Sequence, residues 1–236
     1  MVSAGLAVPL SALKAQELEP EPQFCQRLPE RETTIMQRFD AKKQRIEQHR
    51  AQQDQNIKDR RANVDENRRI RRQARDNAFQ AEINRLLQLA GDNEAKKAAV
   101  LKFGDTVVAA RTTFRNVKDG AIATFRTEFD KILADFRAAI DTAHANRKTA
   151  FANAFAKAKS DCAAGVPPRL VRSALRTSID AARDAFKTAV NQAQSTRKSA
   201  HQQALANRKA TVDAAAKVRI QAIRDAWKEL AEAWGQ

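Results

Sequence analysis

The large apolar residues of this chain recur at intervals of three and four, and in its second half they fall into a repeat of eleven. Phe103, Phe114, Phe125 and Phe136 stand eleven apart, and the last three are each followed by Arg (Arg115, Arg126, Arg137). The same frame continues in Arg147-Lys148-Thr149-Ala150-Phe151. It resumes at Phe186, in Arg197-Lys198-Ser199-Ala200-His201 and in Arg208-Lys209-Ala210-Thr211-Val212. Within a repeat the first, fifth and eighth positions are apolar or small, as in Phe125, Phe129, Ile132 and in Phe136, Ile140, Ala143. Alternating spacings of four and three belong to helix packing. Eleven residues make three turns of about 3.67 residues, so such a stripe runs nearly straight or drifts slightly right-handed.

Few residues interrupt this pattern. Gly91-Asp92-Asn93 offers a C-terminal glycine followed by an N-cap, and Gly165-Val166-Pro167-Pro168 ends one helix and starts another. Pro29 sits where a helix can begin, with Glu30 and Glu32 in its first turn. The expected elements are an extended lead-in over residues 16–28, carrying Pro20 and Pro22, a charged helix over 29–90, a second helix over 92–164 and a third over 168–234. Asp119-Gly120 is a weak point inside the second helix, because Val117, Ala121, Ile122 and Phe125 keep the helical spacing across it. Long helices joined by short loops pack antiparallel. The predicted fold is all-α: an elongated, coiled-coil-like, up-down-up arrangement of three long helices in one domain.

The first helix differs from the others. Between Asp40 and Asp76 its only large apolar residues are Ile46, Ile57, Val64 and Ile70, a thin seam for so many turns. It is expected to pack at its ends, through Ile35, Met36 and Phe39 and through Phe79, Ile83, Leu86 and Leu87. Its middle would stand in water, supported by pairs such as Glu47–Arg50 and Asp54–Lys58.

Composition agrees with long helices and adds a charge. Gly and Pro number six each, Tyr is absent, and Ala supplies much of the 43% hydrophobic share. Basic residues outnumber acidic ones 43 to 28, a net charge of +15, and such a field attracts polyanions: nucleic acid, anionic lipid head groups or acidic cell-wall polymers. No run is apolar and long enough to span a membrane. Met1–Leu13 is nevertheless apolar and charge-free, so residues 1–15 read either as a secretory signal peptide or as a disordered apolar tail.

The densest basic cluster comprises Arg60, Arg61, Arg68, Arg69, Arg71, Arg72 and Arg75, relieved by Asp59, Asp65, Glu66 and Asp76. It reads as a polyanion-binding site or as a solvated helix face. With Phe79 the nearest aromatic, there is no platform for stacking bases. Cys25 and Cys162 are nearly equidistant from a turn centred near Asp92, which brings them to the same end of an antiparallel hairpin. They form a disulfide or remain two thiols of a cytoplasmic protein. His49, His144 and His201 fall on three helices without partners at ligand spacing, and there is no phosphate-binding glycine loop or serine elbow. No catalytic, cofactor-binding or metal residue is therefore assigned, and no cofactor or small-molecule substrate is expected. Trp227 and Trp234 fall on the third helix as packing residues.

Phe24-Cys25 after an apolar leader, a long charged helix, and Asp161-Cys162-Ala163-Ala164-Gly165-Val166 before a further Ala-rich helix resemble one group of sequences. These are uncharacterised, predicted secreted, coiled-coil-like proteins of candidate-phylum bacteria of the Patescibacteria type. The resemblance implies export and a Cys25–Cys162 bridge, and brings no activity or ligand. The expectation is a non-enzymatic structural or interaction protein, secreted or in the cell envelope, whose partners are acidic polymers or another protein. The alternative is a cytoplasmic, sequence-independent nucleic-acid-binding or compaction protein.

Overall fold

The computed structural model describes residues 21–235; residues 1–15, read above as a signal peptide or an apolar tail, lie outside them, as do residues 16–20 of the expected lead-in. The fold is all-α. Three helices follow one another as α1 (Glu21–Ala90), α2 (Glu94–Ala163) and α3 (Pro168–Trp234), in up-down-up order. Both turns form as their residues demand. Gly91 and Gly165 adopt positive φ (54° and 75°), where a side chain would be strained. Asn93 caps α2, its side-chain oxygen accepting the Lys96 backbone N–H at 3.0 Å. After α2 the Val166 N–H reaches back to the Asp161 carbonyl and the Gly165 N–H to that of Cys162, a Schellman closure. The helix runs unbroken through Asp119-Gly120.

One boundary differs from expectation. Residues 21–28 are helical rather than extended, and Pro29 lies inside α1 instead of starting it. An interior proline costs about 3 kcal/mol, through the lost hydrogen bond and the clash with the preceding turn. The segment before it carries Phe24 and Leu28, one turn apart and 2% and 0% exposed. Burying those two side chains is worth about 3–6 kcal/mol. Burial therefore outweighs the proline.

The chain forms two compact units. The first comprises residues 21–45 and 141–190. Its core joins Phe24 and Leu28 of α1 to Phe151, Phe155 and Ala158 of α2 and to Val171 and Leu175 of α3. Ile35, Met36 and Phe39 pack against this cluster, and Phe39 meets Phe151 edge-on at 5.2 Å. Cys25 and Cys162 lie beside it at disulfide-bonding distance, with Cα atoms 5.9 Å apart. Arg147 of α2 is held between two rings, 4.1 Å from Phe186 and 4.9 Å from Phe39.

The second unit comprises residues 46–140 and 191–235. Its apolar core sits near the α1–α2 turn, where Ile83, Val100, Phe103 and Val107 meet Ala226 and Leu230, with Phe79, Leu86, Leu87 and Trp234 packed around them. Trp227 is half exposed but packs against Phe103 in a tilted contact, with ring centres 4.5 Å apart. Away from this core α1 offers little large apolar surface, and its middle is tied to α2 by charge. Asp54, Asp65 and Asp76 each accept a two-pronged pair from Arg137, Arg126 and Arg115, at 2.5–2.9 Å. In the opposite sense Arg61 and Arg72 donate two-pronged pairs to Asp130 and Asp119, at 2.7–2.9 Å. As one helix advances by eleven its antiparallel partner retreats by eleven, so every rung repeats the same geometry. The middle of α1 is thus bound to α2, and Asp54 pairs with Arg137 rather than along its own helix.

The same period joins α2 to α3. The guanidinium groups of Arg197, Arg208 and Arg219 lie 4.4, 4.6 and 4.3 Å from the ring centres of Phe136, Phe125 and Phe114. Each Phe-Arg dipeptide of α2 therefore works on two sides: its ring receives an α3 cation while its arginine grips an α1 carboxylate. His201 replaces the aliphatic residue of one repeat and packs against Phe125 and Phe129, at 6.0 and 5.8 Å.

Candidate anion-binding cleft

The seven arginines of the basic cluster divide into two sets. Arg61 and Arg72 belong to the ladder just described. Arg68 bonds Asp65 at 3.1 Å and lies 3.8 Å from Asp119, and Arg69 forms an exposed pair with Glu66 one turn back. Arg60, Arg71 and Arg75 are exposed and form no ion pair with the described residues. Helical geometry explains the division. Asp54, Arg61, Asp65, Arg68, Arg72 and Asp76 make one stripe of α1, facing α2, whereas Arg60, Val64, Arg71 and Arg75 make the adjacent stripe.

Val64, Arg71 and Arg75 of that second stripe edge a cleft of about 990 Å³ within the second unit, with Arg60 one turn beyond Val64. From α1 come Arg68, Arg71, Arg72 and Arg75; α2 adds Arg111, Arg115 and Lys118, and α3 adds Arg219. No carboxylate lines it among the described residues. Its floor is apolar, built from Val64, Ala78, Phe79, Phe114, Ile220 and Ile223. Three of the eight cations are already engaged, because Arg68, Arg72 and Arg115 grip Asp65, Asp119 and Asp76. Of the other five, Arg71 and Arg75 are exposed and three lie over ring faces. Arg111 lies 4.1 Å over Phe79, and Arg219 and Lys118 lie 4.3 and 5.9 Å from Phe114. A ring face stabilises a cation without using its N–H donors, whose fork lies in the guanidinium plane. Arg71, Arg75, Arg111, Lys118 and Arg219 thus keep donors uncommitted among the described residues.

Electrostatics sharpens the contrast between ladder and cleft. Hydrogen bonds from their arginine partners hold the carboxyls of Asp54, Asp65, Asp76, Asp119 and Asp130 below the usual aspartate range. For Arg111 in the cleft the balance is reversed. Burial, followed by the nearby Arg115, lowers the proton affinity of Arg111, and Asp76 only partly offsets them. A cation crowded by cations and partly desolvated gains from any anion that enters.

The chain matches no protein-family model, no curated protein and no solved structure. A guanidinium group lies over one face of Phe79 and another over one face of Phe114, and those faces are closed to a stacking base. Among the described residues no group of His, Cys, Asp or Glu is placed to hold a metal ion, and no helix is long and apolar enough to cross a membrane. The arrangement can attract and hold negative charge.

Four members of this cleft were not among the sequence candidates: Arg111, Arg115, Lys118 and Arg219. Two carried a signal. Arg115 follows the repeat phenylalanine Phe114, and Arg219 continues the spacing of eleven set by Arg197 and Arg208. Arg111 and Lys118 carry none, since only the meeting of three helices brings them to one place.

Proposed function

We propose that this chain is a non-enzymatic structural and binding protein of the cell envelope whose second unit holds acidic polymers. The observation that carries this reading is the cleft edged by cations from three helices, five of them in no ion pair with a carboxylate among the described residues. Arg61, Arg68, Arg72 and Arg115 are engaged by aspartates, whereas the cleft gathers five cations outside any ion pair into one place, a local concentration within the overall +15. The Cys25–Cys162 pair supports export, because disulfides persist in oxidising compartments. Acidic cell-wall polymer is then the ligand that an exported chain would meet. Covered ring faces favour recognition of charge over recognition of bases.

Binding to an acidic glycopolymer and to duplex DNA should be followed against salt concentration. Counterion release gives a log–log slope of about −0.9 per neutralised duplex phosphate. The triple variant Arg60→Gln, Arg71→Gln, Arg75→Gln should weaken both affinity and slope while circular dichroism stays unchanged, since glutamine and arginine have similar helix propensity. Equal binding by parent and variant would reduce these arginines to a solvated face. Strong binding to DNA alone, with the protein recovered from the cytoplasm, would favour nucleic-acid compaction instead.

A further inference from the structure

The cleft has a feature that polymer binding does not use. Beneath the cations lies an apolar floor, and part of it is open: Val64 is 54% and Ile220 49% exposed. Leaving two β-branched side chains half in water beside uncommitted guanidinium groups joins two recognition chemistries in one cavity. Its volume of about 990 Å³ is at the top of the ~300–1,000 Å³ range of small-molecule sites. A second copy of this chain would bring more positive charge to the cleft, and a neutral apolar ligand would leave the donors unsatisfied.

We infer that the cleft binds an anionic amphiphile, a phosphate head group on a single alkyl chain, with Arg71, Arg75 and Arg219 holding the head and Val64, Ile220 and Phe114 receiving the chain. Arginine suits the head, because its fork matches phosphate oxygens two at a time. Phe114 suits the boundary, because Arg219 covers one part of its ring while the rest belongs to the floor. Burial of Arg111 and its crowding by Arg115 give an entering phosphate a further gain. The inference shares its cations with the polymer reading but depends on the floor, so the two can fail separately.

Titration calorimetry of the full chain with alkyl phosphates below their micelle concentrations tests it. Decyl phosphate should bind more tightly than octyl phosphate, by up to about fifteen-fold if both added methylenes are buried. Inorganic phosphate and a neutral decyl glycoside should bind at least tenfold more weakly than decyl phosphate. Val64→Ser with Ile220→Ser should lower decyl phosphate affinity and leave acidic-polymer binding unchanged. Arg71→Gln with Arg75→Gln should lower both. If decyl and octyl phosphate bind alike, or the floor variant binds decyl phosphate as the parent does, the amphiphile site is overturned while the polymer reading stands. If polymer binding fails yet chain-length dependence persists, the cleft serves the amphiphile alone.

Discussion

Removing the carboxylates of the α1–α2 ladder should loosen the middle of α1 without unfolding the cores. The perturbation is Asp54→Asn, Asp65→Asn and Asp76→Asn together, which keeps side-chain shape and removes the charge. Each aspartate accepts both terminal nitrogens of one arginine. The arginine side chains are only 20–27% exposed and the aspartates 43–53%. An exposed ion pair contributes about 0.2–1 kcal/mol, and two-pronged geometry with one desolvated partner belongs in the upper half of that range. Three rungs then contribute about 1.5–3 kcal/mol. Val64 and Ile70, half exposed in this stretch, offer little to replace them. Hydrogen exchange reports local opening, and this range corresponds to amide exchange roughly ten- to hundred-fold faster over residues 50–76. Amides near Phe24 and Leu28 and near Ile83 should keep their protection, because apolar cores hold both places. Unchanged exchange over residues 50–76 in the triple variant would refute the ladder as the bond between these helices.

Three further outcomes follow from the same structure. The ladder carboxyls are depressed below the ordinary aspartate value of 3.8, so their contribution is complete above that pH and is lost as pH falls through the lower folded values. Thermal melts between pH 5 and 2 should show this decline, and it should flatten in the triple Asn variant. Replacing both Cys25 and Cys162 by Ala opens a loop with a sequence separation of 137. That should cost about 5 kcal/mol in the chain-entropy account, read by urea unfolding of oxidised parent against variant. Arg208→Gln removes the cation over Phe125 and should lower stability by about 0.5–1 kcal/mol with helix content intact; no change in the urea midpoint would speak against the α2–α3 stacking.

Much of this fold is legible in the sequence because helices write their punctuation and their packing period directly. Gly91, Asn93 and Gly165 mark the turns, and the repeat from Phe103 to Phe136 marks the face that α2 turns to α3. The helix start at Glu21 is hidden, since Pro22 and Pro29 speak against it locally while Phe24 and Leu28 act only once α2 and α3 arrive. The middle of α1 is misjudged for a different reason. Large apolar residues are sparse there, but packing was carried by charge: Asp54, Asp65 and Asp76 stand eleven apart, as do Arg115, Arg126 and Arg137. A period sought only among apolar residues overlooks a seam made of ion pairs. In the arginine cluster the residue types suggest anions, but which arginines are spent on the fold depends on α2, which the cluster itself does not reveal.

Whether the unpaired arginines bind ligand can be decided by separating local charge from total charge. Two triple variants remove the same net charge: Arg60→Gln, Arg71→Gln, Arg75→Gln beside the cleft, and Arg38→Gln, Arg169→Gln, Lys187→Gln at exposed positions of the first unit. Affinity for an acidic glycopolymer should be measured for both and for the parent at several salt concentrations. The cleft variant should lose most of the affinity and part of the salt slope, and the matched variant should stay close to the parent. Equal losses in the two variants would contradict a localised site and assign the binding to the diffuse field.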